Sequence, residues 1–248
     1  MKILSASQIK QADAFTISNE QISSIDLMER ASEKVYQWLR KRFDKKTCFT
    51  VFCGTGNNGG DGLAVARMLH KKEYPVQVYL LNLSKPSLDN TLNKKRLLAE
   101  GIIVNELNSF DALIDIEGVI IDAVLGTGLS KPVTGWVGDI IQFLNEKSNI
   151  KVSVDIASGL FSEDNDNNSG SVFKPNYTLT FEVEKLAFKF PENHFHVGHL
   201  VVLPIGLNAD FLNNEVTPYF NITSSFVKRI YKKGSSFAYK NNFGLLNL

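Results

Sequence analysis

The sequence predicts an α/β fold, a three-layer α/β/α sandwich around a mostly parallel central sheet. Three observations carry this expectation. Short apolar runs alternate with amphipathic segments along most of the chain, a long glycine-rich turn follows one apolar run and opens a helix, and two further apolar runs carry an acid at or near their ends. Runs that are apolar throughout suit strands buried on both faces, as in a parallel sheet covered by helices on either side. Ligands of such sheets sit beyond the carboxyl ends of the strands, so the turns at those ends carry the most weight.

The N-terminal part reads helical. Ser23-Ser24-Ile25-Asp26 has the form of a capping box, and Leu27, Met28, Ala31, Val35 and Leu39 follow at helical spacing. Strands are then expected at residues 48–53, 76–81, 102–104, 119–125, 151–156, 177–181 and 200–203, with helices at 62–72, 90–100 and 137–147. From about Asn208 the alternation ceases. A polar stretch containing Pro218 leads into the basic run Lys228-Arg229-Ile230-Tyr231-Lys232-Lys233, and the whole reads as a linker or arm outside the first core. The basic run has the character of a solvated helix face.

Lys and Arg number 27 and Asp and Glu 26 among 248 residues, so no overall field draws the chain to nucleic acid or to an anionic membrane. A hydrophobic fraction of 44% suits a globular protein with a sizeable core. The N-terminus lacks the apolar run of a signal peptide, and no later run approaches the length of a bilayer span, so a cytoplasmic protein is expected. Cys48 and Cys53 lie five apart on one expected strand, which points their side chains to opposite faces. They are expected to be small core residues rather than a disulfide or a metal site. His194, His196 and His199 have a spacing that invites a zinc reading, but their segment looks like a loop entering a strand, and ordinary loop or half-buried histidines are expected.

Three motifs carry chemistry. The first is Gly54-Thr55-Gly56-Asn57-Asn58-Gly59-Gly60-Asp61-Gly62. It contains G-x-G-x-x-G at Gly54, Gly56 and Gly59, a pattern that brings backbone N–H groups close to a diphosphate at a helix N-terminus. Two details oppose a nicotinamide dehydrogenase. The strand at 76–81 ends at Asn82 without the acid that would grip a ribose, and Asn57, Asn58 and Asp61 place polar side chains where the fingerprint tolerates any residue. Gly60-Asp61 also stands where a P-loop needs Gly-Lys-Ser/Thr. A glycine-rich turn without a ligand is the plain alternative.

The second motif runs from Ile121 to Pro132. Asp122 is an acid inside an apolar run and needs a bound cation, a hydrogen-bond network or solvent. The loop Gly126-Thr127-Gly128-Leu129-Ser130-Lys131-Pro132 follows, and Lys131 suits a phosphate contact and a solvated loop position equally well. The third motif is Val154-Asp155-Ile156-Ala157-Ser158-Gly159, again an acid at the end of an apolar strand. Asn58, Asp122, Asp155 and Ser158 offer oxygens, which hard cations prefer, whereas zinc or copper would want His or Cys.

Together these motifs resemble the NAD(P)H-hydrate epimerase family, the YjeF N-terminal domain. Its pattern runs approximately G-x-G-N-N-G-G-D-G, then D-A-h-h-G-T-G-L-x-x-P, then S-V-D-h-P-S-G, where h is apolar. This chain shows Gly54 to Gly62, Asp122 to Pro132 and Ser153 to Gly159 in that order and at comparable spacing. Ala6-Ser7-Gln8-Ile9-Lys10-Gln11-Ala12-Asp13, Leu27-Met28-Glu29-Arg30-Ala31, Thr178-Leu179-Thr180-Phe181 and Lys185 also look like the family, and the resemblance covers about residues 1–207. Three positions depart from it: Ala157 replaces the usual proline, a glycine common shortly after Lys185 is absent, and Pro204 stands where an aspartate is frequent.

The resemblance implies a Rossmann-like fold and interconversion of the R and S epimers of hydrated NADH and NADPH. It implies that Asn57, Asn58, Gly59, Gly60 and Asp61, with Gly126, Thr127, Gly128, Leu129, Ser130, Lys131 and Pro132, hold the hydrated dinucleotide. Asn58, Asp122 and Ser158 would coordinate one potassium ion per subunit, and Asp155 would contact the substrate and serve as catalytic acid/base. The functional partner would be an NAD(P)H-hydrate dehydratase, fused or separate. Tyr239-Lys240-Asn241-Asn242-Phe243-Gly244 looks like a degenerate opening of the ADP/ATP-dependent dehydratase domain, so residues 208–248 read as a linker and the truncated start of such a domain. A homodimer is expected on general grounds. The competing readings are a non-catalytic nucleotide- or protein-binding module on the same fold, which would have no need of four converging polar groups, and a nicotinamide dehydrogenase.

Overall fold

A computed structural model describes residues 2–110 and 116–231. Two helices open the chain, α1 (Ala6–Glu20) and α2 (Ser24–Arg42). Each starts on a serine cap. Ser5 Oγ accepts the Gln8 N–H at 3.2 Å, and Asp26 accepts the Ser23 N–H at 3.0 Å. Helix α2 buries Leu27, Met28, Ala31, Val35 and Leu39, the stripe that the spacing predicts.

Seven strands follow: β1 (Phe49–Cys53), β2 (Val76–Leu81), β3 (Val104–Leu107), β4 (Val119–Ala123), β5 (Lys151–Val154), β6 (Tyr177–Phe181) and β7 (His199–Leu203). Helices α3 (Asn57–Lys71), α4 (Leu88–Ala99) and α5 (Gly135–Glu146) lie on the connections, and the short helices α6 (His194–Val197), α7 (Ala209–Asn214) and α8 (Ser224–Ile230) come later. The strands form one sheet in the order β3-β2-β1-β4-β5-β6-β7, and every pairing is parallel. The chain steps outward from β1 to β3 and then returns to β4 on the other side of β1. The switch point therefore lies between β1 and β4, where the first two glycine-rich turns emerge.

The period of two along each strand divides the core between the faces. Phe49, Val51, Cys53, Val119, Ile121 and Ala123 share one cluster with α2, α3 and Leu97 of α4. Phe52 and Ile120 join Ile140, Ile141 and Leu144 of α5 in the other. This is the three-layer sandwich that the sequence predicts.

Boundaries differ where tertiary contacts override local pattern. Helix α3 begins at Asn57 rather than at 62, although glycine is a poor helix former. Close packing explains this. A Cβ on Gly59 would stand 1.8 Å from Gly54 O, and one on Gly62 would stand 2.6 Å from the Ala123 Cβ. Strand β4 ends at Ala123 rather than 125, and β5 at Val154 rather than 156. In the first the chain turns as Val124 N–H bonds the Asp122 carboxylate at 3.3 Å, and in the second Asp155 takes φ +63°. The strand expected at 102–104 runs Val104–Leu107, because Ile102 serves the core ahead of the ladder while Asn105 and Glu106 tolerate an edge position.

The segment after Asn208 lies along the N-terminal helices. Asn208 N–H donates to Thr16 Oγ1 at 2.9 Å, Thr217 Oγ1 to Ile3 O at 2.7 Å and Ile3 N–H to Tyr219 O at 3.0 Å. Phe211 and Leu212 pack against Ala12, Leu27 and Ala31. Helix α8 buries nothing, which fits a solvated face for Lys228 and Arg229. Lys232, Lys233 and the stretch Tyr239 to Gly244 lie outside the described residues. None of the described helices is long and apolar enough to cross a membrane.

Cys48 and Cys53 are unbridged, and Cys53 is a core residue. The three histidines go separate ways. His196 Nδ1 lies 3.2 Å from Phe173 O, the His199 ring packs on Tyr177, and His194 packs on Phe195. Among the described residues no group of three His, Cys, Asp or Glu side chains gathers as a metal site.

Candidate active site

The turn from β1 into α3 is fixed from two sides. Gly54 N–H donates to Ala123 O at 3.1 Å, which joins the ends of β1 and β4. From α4, Asn90 Nδ2 donates to Gly54 O at 2.9 Å and to Gly56 O at 3.0 Å, and Asn93 Nδ2 donates to Gly60 O at 3.2 Å. Both asparagines are buried. The glycines here divide into two kinds. Gly54, Gly59, Gly60 and Gly62 are in close contact, whereas a Cβ on Gly56 or on Gly128 would meet nothing within 4 Å. Both glycine-rich turns thus keep a stretch of backbone open to approach, and at Gly56 it caps a helix whose first N–H groups lack intrahelical acceptors. Lys131 is exposed on the second turn.

Asn58, Asp122 and Ser158 come together. The Asp122 carboxylate is buried, with four donors: Ser158 Oγ at 2.5 Å, Ser158 N–H at 2.8 Å, Ser153 Oγ at 2.9 Å and Val124 N–H at 3.3 Å. Burial pushes its carboxyl up, and the hydrogen bonds from Ser158, Ser153 and Val124 oppose that shift. A hydrogen-bond network thus helps to accommodate the acid in this apolar run. Ser158 Oγ also accepts Leu125 N–H at 2.8 Å, and Asn58 Nδ2 donates to Leu125 O at 2.9 Å. Leu125 therefore joins the first motif to the third. Asn58 Oδ1 is buried and takes no donor among the described residues. An acceptor left unmet in this way is costly, and a cation would satisfy it.

Asp155 stands at the end of β5. Its N–H continues the ladder to Leu179 O at 2.8 Å, while its φ of +63° is a left-handed value that costs a residue with a Cβ roughly 1–2 kcal/mol. The next turn carries Ser158 back to Asp122. Three donors converge on Asp155 Oδ1: Phe181 N–H at 3.0 Å, Thr180 Oγ1 at 3.3 Å and Lys185 Nζ in an ion pair. Lys185 Nζ also donates to Thr180 Oγ1 at 2.6 Å, and the lysine is buried. Asp155 Oδ2 takes no donor among the described residues.

Two more carboxyls share this field. Burial pushes Asp13 of α1 up to about 6, with Asp155 adding to the shift and Lys185 opposing it. Burial also drives Asp61 of α3 well above the usual carboxylate range, reinforced by Asp155, Asp13 and Asp89 and opposed by the Ser32 hydroxyl at 3.3 Å. Asp61 was legible in the first motif, and Asp13 and Lys185 only as parts of the resemblance. Thr180 too was legible as part of the resemblance, whereas Asn90 and Asn93 carried no signal beyond polar residues on otherwise periodic segments.

Comparison with known proteins places these motifs in a lineage. The profile of the family described as YjeF-related protein N-terminus matches residues 24–187. The NAD(P)H-hydrate epimerase of Oenococcus oeni is 37% identical over 207 residues, covering 82% of this chain and 96% of the relative. That of Anaerococcus prevotii is 32% identical over 202 residues, covering 79% and 91%. The bifunctional NAD(P)H-hydrate repair enzyme Nnr of Coxiella burnetii is 29% identical over 237 residues, covering 96% of this chain but 48% of the longer relative. The crystal structure of the yeast protein ynu0 shares the fold at a TM-score of 0.69 and 21% identity, covering 90% of this chain and 98% of that one.

Proposed function

The chain belongs to the YjeF N-terminal family, and on that premise we propose that it interconverts the R and S epimers of hydrated NADH and NADPH. One observation carries the reading of the site: Asp155, at a strained strand end beside the β1–β4 switch point, has one carboxylate oxygen anchored while the other takes no donor among the described residues. The substrate carries its hydroxyl on the carbon next to the ring nitrogen, so it is a hemiaminal. Epimerisation needs only loss of that hydroxyl to an iminium, or ring opening to an aldehyde, followed by re-addition. Both routes move a proton to or from the hydroxyl oxygen, the task assigned here to Asp155. Lys185 and Thr180 would hold Oδ1 so that Oδ2 faces the substrate. The turns Asn57 to Asp61 and Gly126 to Pro132 would hold the dinucleotide, the second near its phosphates.

Asn58, Asp122 and Ser158 would hold a potassium ion. Three oxygen-bearing side chains, with an unmet amide oxygen beside a buried carboxylate, suit a hard cation. When bound, the ion would offset Asp122 and tie the three turns together. The reaction consumes one epimer of a hydrate and yields the other, which suits a dehydratase specific for one of them, on this polypeptide or a separate one.

Epimer-resolved chromatography tests the proposal. A single epimer of hydrated NADH should approach the epimer mixture much faster with the protein than in buffer. Tetramethylammonium in place of potassium should lower the rate or the melting temperature. Conversion no faster than the buffer blank, with the dinucleotide still bound, would leave a binding module instead. Indifference of both readouts to the cation would remove the potassium role alone.

A further inference from the structure

An asparagine buried between helices destabilises the fold unless its amide does what an apolar side chain cannot. Asn90 of α4 is 1% exposed, and its Oδ1 takes no donor among the described residues. An acceptor buried without a partner is unfavourable. Its Nδ2, by contrast, meets two acceptors at once, Gly54 O at 2.9 Å and Gly56 O at 3.0 Å. Turned over, the amide would set Oδ1 against two carbonyl oxygens, so only one orientation is stable. We propose that Asn90 is a positioning residue for the dinucleotide. By holding the Gly54 and Gly56 carbonyls toward α4, it aims the N–H groups of Thr55 and Asn57 outward as donors to the substrate. This rests on the proposed function, in which the turn holds the dinucleotide, and names what sets the donors of that turn.

The direction follows from the planar trans peptide, whose C=O and N–H point opposite ways. With Gly54 O turned to α4, the Thr55 N–H points away from it. Gly56 O does the same for the Asn57 N–H. Neither N–H finds an acceptor among the described residues. Gly56 and Asn57 are exposed, and a Cβ on Gly56 would meet nothing within 4 Å, so a ligand oxygen can reach this backbone. Asn57 opens α3, and the N-terminal end of a helix favours an oxygen that carries negative charge.

The clamp is itself held in place. Ser87 Oγ accepts the Asn90 N–H at 3.2 Å, and the Ser87 N–H donates to Thr55 O at 3.0 Å. The start of α4 and the glycine-rich turn therefore move as one unit. Asn93 differs in what it grips: its Nδ2 bonds Gly60 O, inside the first turns of α3 and beyond the two outward donors.

Fluorescence titration with NADH and the epimer assay test the proposal together, on the full chain in potassium buffer. Asn90→Leu removes the donor and nearly keeps the volume. It should weaken NADH binding and raise KM for hydrated NADH by about 10–100-fold, with kcat within about threefold of wild type. Asn90→Asp, which sets a carboxylate oxygen against the two carbonyls, should do the same, and it serves if the leucine variant does not fold. Leu97→Val loosens the buried face of α4 away from the turn, and it should lower the melting temperature while leaving KM in place. The proposal is overturned if the Asn90 variants keep NADH affinity and KM within about threefold of wild type. It is also overturned if kcat alone falls, the mark of a lost folded fraction, or if Leu97→Val raises KM as much as Asn90→Leu. Wild-type protein that binds NADH without speeding interconversion would remove the epimerase reading, and NADH affinity would then decide the role of Asn90 by itself.

Discussion

Replacing Asp155 by Asn should lower epimerisation by about 10²–10⁴-fold while changing affinity for the dinucleotide little. The amide keeps the size of the side chain and an oxygen for Phe181 N–H and Thr180 Oγ1, but it can no longer accept a proton in the cleft. It also strips buried Lys185 of its paired carboxylate, and breaking such a pair from one side costs up to about 3–5 kcal/mol. Stability and turnover should therefore fall together in the single variant. The double variant Asp155→Asn/Lys185→Met should recover melting temperature without recovering turnover, because methionine leaves no buried charge to pair. Recovery of both in the double variant would show that Asp155 matters only as a partner for the lysine.

Gly59→Ala should be the most damaging small substitution in the site, costing more than about 3 kcal/mol in denaturant unfolding or abolishing the folded protein. The added Cβ would lie 1.8 Å from Gly54 O, 2.6 Å from Gly54 C and 2.8 Å from Gly54 N. All three are backbone atoms of a turn that Asn90 and Ala123 O already hold, so no side chain can swing aside. Gly56→Ala is the matched control. It meets open space at an extended backbone position and should cost from a few tenths to about 1 kcal/mol. Equal melting temperatures for the two variants would contradict the division of the motif into packed and open glycines.

Much of this arrangement was legible in the sequence because its causes are local. A buried strand needs an apolar run and a tight turn needs glycine, so the ends of β1, β4 and β5 announce themselves, and with them Asn58, Asp122, Asp155 and Ser158. What was not legible arises from contacts between distant segments. Nothing near Asp13 in the chain says that α1 will bring it into the field of Asp155, and nothing near Asn90 says that it will clamp carbonyls on either side of Thr55. The early start of α3 was hidden for the same reason. Its glycines argue against a helix by propensity, and only the closeness of β1 and β4 explains them. The stretch from Asn208 to Asn221 reads as a linker by composition because it is a surface strap. Its anchors, Thr16 and Ile3, lie about 200 residues back along the chain.

A crystal structure of the protein soaked with hydrated NADH in potassium buffer tests the site most directly. The account predicts the hydroxyl-bearing carbon of the nicotinamide against Asp155 Oδ2, the phosphates against the turn from Gly126 to Pro132, and a monovalent cation touching Asn58 Oδ1. A dinucleotide bound with its nicotinamide away from Asp155, or held on a different face of the sheet, would contradict it.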